Sequence, residues 1–282
     1  MLAAVLALAS SAAWGLADFM GGLQSRRHAV LAVLGVSQAV AFLLVLAAVL
    51  AGAGTAHHGE ATAWAAGGAT LGLIALVAFY RALSIGTMSV VAPISATSVV
   101  IPVLAGVASG ERPAALQVAG IALAAGGIVL AAREPPGEDE AARRASRASI
   151  GLALVAAIGF GSFFASVDRA EETADVAWVL LVQRSVDVGL LALACAIARP
   201  SVPRAPAALA PIAAIGVFDL LANLLFILAT GRGLLSVVGV LGSLYPAVTV
   251  VLARFVLHER LSRSQNVGVA VTLAGVVALA AG

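Results

Sequence analysis

The chain holds one cysteine, Cys195, and no lysine. A single thiol inside an apolar run excludes a disulfide framework and a cysteine metal site. Charge is scarce: 11% of the 282 residues are Asp, Glu, Lys or Arg, where a soluble domain carries roughly 25%. Of the histidines, His28, His57 and His58 fall in connecting segments and His258 at a helix end, and no HExxH or GxSxG pattern occurs. A polytopic membrane enzyme therefore lacks its usual catalytic constellation. No GxxxxGK[ST] loop is present to drive a pump with ATP. A net charge of +2 is too small to argue for a nucleic-acid partner. Neither a catalytic residue, a cofactor nor a metal site is expected.

Apolar side chains fill the space left by these absences. They make up 62% of the residues, and mean hydropathy is +1.08. Such a chain cannot cover a globule with water-facing groups, so its partner is a lipid bilayer. About 20 apolar residues in a helix cross ~30 Å of hydrocarbon. Ten segments approach that length: 2–22, 29–50, 61–80, 90–109, 114–132, 150–167, 176–198, 207–230, 234–257 and 265–281. No basic residue precedes the first, so it is expected to be a retained membrane helix rather than a signal peptide. The runs are continuous, not alternating, which excludes barrel strands. The expected fold is an all-α polytopic membrane protein with ten transmembrane helices.

The sequence repeats itself. "GTMSVV" (Gly86 to Val91) matches "GLLSVV" (Gly233 to Val238) 147 positions on, and "ERPAALQVAG" (Glu111 to Gly120) matches "ERLSRSQNVG" (Glu259 to Gly268) 148 positions on. Gly127 then matches Gly275. Two five-helix units are expected, residues 1–132 and 149–282, joined by a charged, disordered linker at 133–148. Five is odd, so the second unit enters the membrane inverted relative to the first. Inverted repeats suit alternating access to a central site. Pro93 and Pro102 in the fourth helix and Pro246 in the ninth each remove a helical hydrogen bond. Kinked helices facing the protein interior are expected there.

Two stretches carry a family resemblance: "AFYRALSIGTMSVVAPISATSVVIPVLAGVASGERPAALQVAGIAL" (Ala78 to Leu123) and "LLSVVGVLGSLYPAVTVVLARFVLHERLSRSQNVGVAVTLAG" (Leu234 to Gly275). Small residues, a mid-helix Pro, a Gly or His before Glu-Arg, then Gln and Gly resemble the repeat of the EamA family of the drug/metabolite transporter superfamily. "AAWG" (Ala12 to Gly15) in the first helix agrees. The resemblance implies a secondary carrier whose cavity is lined by helices one to four and six to nine. Helices five and ten would lie at the back, with Gly120/Gly127 and Gly268/Gly275 permitting close packing within one chain, or else in a weak homodimer. Where the family often has Arg in the second helix, this chain has Gln38, and Arg184 stands in the seventh.

An ionisable group at the bilayer centre costs about 2.5–3.5 kcal/mol on insertion scales, so each one asks for a role. Arg184 and Asp187, three apart in the seventh helix, are either a self-neutralising ion pair or a site where Arg184 binds a solute carboxylate. Asp219 and Asn223 share a face of the eighth helix. They would bind a solute amine or carry a coupling proton, unless Asp219 pairs with Arg184. Asp18, one turn after Trp14, is a cavity acid or an interfacial one. Tyr80 and Tyr245 suit organic solutes or packing, and Ser95, Thr97 and Ser98 either contact solute or satisfy carbonyls freed in the bent fourth helix.

Odd-numbered connections hold eleven arginines, and even-numbered ones hold Arg112, Arg169 and Arg232. The positive-inside rule then puts the odd connections in the cytoplasm and both termini outside; the family resemblance implies the reverse. The expected function is secondary transport of small organic metabolites, amino-acid-like or drug-like, across the cytoplasmic membrane, with protons as a candidate coupling ion. A membrane scaffold or sensor would need more extramembrane surface, and a channel a filter-like loop.

Overall fold

The computed structural model describes residues 2–57, 59–101, 104, 114–133, 140–230, 232, 241–242 and 244–281. Among these the chain forms α1 (Leu2–Ser25), α2 (Val30–Leu50), α3 (Ala61–Ile85), α4 (Met88–Ser95), α5 (Ala115–Ala131), α6 (Glu140–Glu171), α7 (Val176–Ala198), α8 (Pro206–Thr230), α9 (Tyr245–Val256) and α10 (Arg263–Ala281). Seven of them (α1, α2, α3, α6, α7, α8 and α10) are long and apolar enough to cross a bilayer, while Met88–Val99, Ala115–Ala131 and Tyr245–Val256 are shorter apolar helices. Large apolar side chains such as Leu43, Ile74, Ile197 and Phe255 lie exposed on the outside, where lipid is the only solvent that welcomes them. The protein is an all-helical integral membrane protein.

Three expectations need correction or restriction. The linker is not disordered throughout, because Glu140 to Ala148 form the first turns of α6. Alanines favour helix there, and Arg144 donates to Glu140 four residues earlier at 2.7 Å, the stabilising orientation of such a pair. Pro246 does not kink the middle of a helix. It sits in the first turn of α9, where an intrahelical N–H is not required and its ring fits without a clash. Pro93 does lie inside α4, which tightens into a 3-10 turn at Ala96–Val99. Pro102 lies outside the described residues.

Packing pairs helices from the two halves of the sequence. α3 lies along α6 and α1 along α8, α2 packs on α7 and α8, α7 on α3, α9 on α1 and α4, α4 on α6, and α5 on α10. Exchanging each helix for the one five places away reproduces these contacts. The same exchange holds at single residues. Gly15 faces the Tyr245 carbonyl and the Val248 side chain, while Gly161 faces the Ser98 carbonyl and the Ile101 side chain. Those partners stand 147 positions apart in the sequence. Side chains would force the helices apart at both points.

The α5–α10 seam is closer still. A Cβ at Gly120 would lie 2.8 Å from the Leu279 nitrogen and 2.9 Å from the Gly275 carbonyl oxygen, and one at Gly275 would lie 2.8 Å from the Gly120 oxygen. Gly127 and Gly268 meet in the same way. This glycine face is spent within one chain. The repeated glutamines start both helices: Gln117 accepts from Ala114 N–H at 2.9 Å and Gln265 from Ser262 N–H at 3.0 Å. Only the second is a reciprocal capping box, since Ser262 Oγ accepts from Gln265 N–H at 3.2 Å and alanine has no acceptor.

The described connections gather by parity. Arg26, Gly86, Ser149 and Glu259 meet at one end of the bundle. At the other, Ala56 and Asp175 exchange hydrogen bonds at 2.7 and 2.9 Å, and His57 stacks on Trp178 at 3.8 Å.

Candidate functional site

A hollow of about 780 Å³, including the part open to its mouth, runs between the halves. The α1–α8 pair lines it with Trp14, Asp18, Asp219 and Asn223. The α3–α6 pair lines it with Ala69, Gly72, Leu73, Leu76, Phe79, Phe160, Phe163 and Phe164, and Gln38, Arg184, Asp187 and Tyr245 complete the wall.

These residues come from equivalent places in the duplicated sequence. Trp14 and Asp18 have Phe160 and Phe164 as counterparts, Gly72 and Leu76 have Asp219 and Asn223, and Gln38 has Arg184. At these positions the α1–α8 pair carries Trp14, Asp18, Asp219 and Asn223, the α3–α6 pair carries aromatic or apolar residues, and Gln38 and Arg184 are both polar. Equivalent positions of the duplicated sequence thus differ in chemistry around the hollow.

Arg184 organises the polar side. Its Nη2 donates to Asp219 Oδ2 at 2.8 Å, its Nη1 donates to Gln38 Oε1, and Nη1 lies 3.5 Å from Asp187 Oδ2. Arg184 and Asp187 are each only 8% exposed, so a guanidinium shared by two carboxylates and an amide offsets much of the cost of placing charge here. The nearer carboxylate is Asp219 on α8, not Asp187 on the same helix. Asn223 Nδ2 donates to the Asp219 carbonyl at 2.7 Å. Asp18 accepts no hydrogen bond and makes no ion pair among the described residues. Beside it stands an aromatic cluster, with Trp14 5.6 Å from Phe226 and 6.1 Å from Tyr245 between ring centroids.

The structure therefore gathers Trp14, Asp18, Arg184, Asp187, Asp219, Asn223 and Tyr245 around one hollow and leaves Tyr80, Ser95, Thr97 and Ser98 off its described wall. Tyr80 is buried against Gly21, which has no side chain to obstruct the ring. Ser95 Oγ donates to the Ala92 carbonyl at 2.9 Å, as Thr97 does to Ile94 at 2.7 Å, so these hydroxyls serve the backbone near Pro93. Ser98 is buried with its carbonyl against Gly161. The phenylalanines of α6 were not singled out beforehand. Carrying Trp14 and Asp18 forward by 146 positions, the separation of Gln38 from Arg184, reaches Phe160 and Phe164. Among the described residues no group of three or more His, Cys, Asp or Glu side chains is placed to hold a metal ion.

Hydrogen bonds join the odd-numbered connections at their end of the bundle. Glu259 Oε1 and Oε2 accept from the Met88 and Ser89 N–H groups at 2.9 Å each, capping α4 from the α9–α10 connection. Arg26 Nη2 reaches Glu259 at 3.4 Å and the Gly86 carbonyl at 3.0 Å, and its Nε reaches the Leu83 carbonyl at 3.3 Å. Beneath this tie, Leu83 and Met88 pack against Gly22.

No curated protein matches the chain. A solved crystal structure, described simply as that of a protein, shares the fold with a TM-score of 0.65 at 17% identity, covering 98% of this chain and 95% of its own. The sequence profile of the EamA-like transporter family matches residues 1–133 and again 147–281. Since the two matches leave only a short connector and the last residue uncovered, the chain belongs to the EamA-like transporter family, within the drug/metabolite transporter superfamily.

Proposed function

We propose that the protein is a secondary carrier moving small organic solutes across the cytoplasmic membrane by alternating access, its halves 1–132 and 149–282 acting as inverted repeats. The observation that carries this reading is one hollow walled by equivalent positions of both halves. A site on such a seam can be exposed to either side when the halves exchange conformations, with no new fold element required. The exchanged helix contacts and the paired Gly15 and Gly161 contacts support it.

In this reading the Arg26–Glu259 tie is a closed gate. The arginine count puts that gate at the cytoplasmic face and both termini outside. Asp219, held in an ion pair by Arg184 at 2.8 Å, belongs in this reading to the polar framework of the hollow.

The test is solvent access from each side. In a Cys195→Ser background, Asn223→Cys is exposed to a membrane-impermeant thiol reagent in right-side-out and in inverted vesicles. Labelling from both faces is expected. Labelling from one face only, under every condition of solute and temperature, would overturn alternating access. Reporter fusions at both termini test the orientation.

A further inference from the structure

We propose that the solute is a monovalent organic cation, a protonated amine on an aromatic or otherwise apolar body, with Asp18 as the anchor of the ammonium group. This rests on the carrier reading and narrows its substrate class.

Formal charge comes first. The described lining residues include three carboxylates, Asp18, Asp187 and Asp219, against one guanidinium. A solute bearing one positive charge reduces that imbalance, and one bearing a negative charge enlarges it. At membrane depth neither effect is diluted by water.

Hydrogen-bond capacity points the same way. Arg184 meets Asp219 Oδ2 and Asp187 Oδ2. Among the described residues no group donates to Asp187 Oδ1, Asp219 Oδ1 or either oxygen of Asp18. Four carboxylate oxygens in one hollow thus call for donors, and an ammonium group brings up to three N–H bonds and a charge. A solute carboxylate finds a cation already shared. Three of the four terminal N–H groups of Arg184 go to Gln38, Asp187 and Asp219, and its Nε is buried.

The remaining wall sets the body of the solute. Phe79, Phe160, Phe163 and Phe164 offer apolar surface, while Trp14 and Tyr245, 6.1 Å apart between ring centroids, line the same hollow as Asp18. Aromatic faces attract a cation held nearby as well as packing against an apolar body.

Calorimetric titration of the purified protein in lipid nanodiscs tests this with four probes that share a phenylethyl body: 2-phenylethylamine, 2-phenylethanol, 3-phenylpropionate and L-phenylalanine. The amine is expected to bind at least about tenfold more tightly than the alcohol, the gain of one or two charged hydrogen bonds. The phenylpropionate is expected not to bind, and phenylalanine to bind more weakly than the amine. Asp18→Asn should bring the amine down to the affinity of the alcohol. Retained alcohol binding and an unchanged melting profile show that the variant is folded, and Asp18→Glu should restore part of the preference.

Equal affinity for amine and alcohol, tighter binding of phenylalanine or phenylpropionate, or an Asp18→Asn protein that keeps the preference overturns the proposal. If no probe binds while Asn223→Cys is labelled from both faces, the substrate class falls and the carrier reading stands. If the amine binds as expected but labelling comes from one face only, the carrier reading falls alone.

Discussion

Arg184 donates a hydrogen bond to the side-chain amide of Gln38, and the two residues stand 146 positions apart at equivalent places in the two halves. One position therefore appears twice in the hollow, once as a cation and once as its neutral acceptor. Two arginines meeting here would repel each other at membrane depth, whereas an amide oxygen accepts from the guanidinium and leaves its other N–H groups for Asp187 and Asp219. The departure from a symmetric pair is what permits the polar side of the hollow to exist.

Arg184 is thus expected to support both stability and solute binding. Arg184→Gln leaves Asp187 and Asp219 without their shared counter-ion and should cost about 3–5 kcal/mol. Thermal unfolding in detergent reads this as a large fall in Tm. The double variant Arg184→Gln/Asp219→Asn should recover much of the loss, because it removes one stranded carboxylate with the cation. Arg184→Lys should behave more like Arg184→Gln, since a point-like ammonium cannot reproduce the planar fork that reaches three partners. A Tm unchanged in Arg184→Gln would show that the ion pairs contribute nothing.

How much of this was legible in the sequence depends on which physical signal each residue carries. Helices and duplication were, because the lipid requirement writes long apolar runs and the α5–α10 seam demands glycine at fixed spacing. Polar residues at membrane depth were also legible: Asp18, Arg184, Asp187, Asp219 and Asn223 all reach one hollow. The α6 phenylalanines escaped notice because an aromatic residue in a membrane helix has the same pattern facing lipid or cavity. Tyr80 was left between solute contact and packing, since a tyrosine serves either; its ring lies in the space beside Gly21. Pro246 suggested a mid-helix kink since the apolar run continues through it, although the turn at Leu244 precedes it.

The Glu259 tie gives a prediction about conformational balance. Its carboxylate caps two α4 N–H groups and is only 10% exposed. Glu259→Gln keeps the shape and removes the charge that strengthens those bonds. In the Asn223→Cys background, labelling from the face of the odd-numbered connections should rise about tenfold, in line with the loss of roughly 1–2 kcal/mol from the closed state. Arg26→Gln should shift the same rate in the same direction by less, since its contact with Glu259 is longer and more exposed. An unchanged rate in both variants would mean that the tie does not gate the hollow.

His258 immediately precedes that carboxylate in the chain. Its φ of 53° lies in the left-handed region just after α9, and Glu259 N–H donates to the Ala253 carbonyl at 3.4 Å. A side chain costs roughly 1–2 kcal/mol in that conformation, whereas glycine enters it freely. Gly110 occupies the equivalent sequence position in the first half. His258→Gly should therefore leave Tm unchanged or raise it and keep the gate closed. His258→Val should lower Tm by several degrees, because a β-branched residue resists the left-handed region most, and should raise labelling as Glu259→Gln does. If the valine variant matches wild type in both readouts, the backbone at this position is not what aims Glu259.

The glycine seam separates close packing from mere apolar character. A Cβ at Gly268 would collide with the backbone of Ala131, at 2.7 Å from its Cα. Backbone cannot rotate aside as a side chain can, so Gly268→Val must push α10 away from α5 along the seam. Gly126, on the same α5, has no atom within 4 Å of a hypothetical Cβ. Gly126→Ala should accordingly be neutral or stabilising, gaining up to about 1 kcal/mol of helix propensity. Both substitutions raise hydropathy, valine more than alanine, so poorer membrane insertion does not explain a loss confined to Gly268→Val. Monodisperse elution and Tm in detergent measure the outcome: Gly268→Val is expected to lose both, and Gly126→Ala neither. Equal tolerance at the two positions would mean that α5 and α10 do not depend on backbone contact.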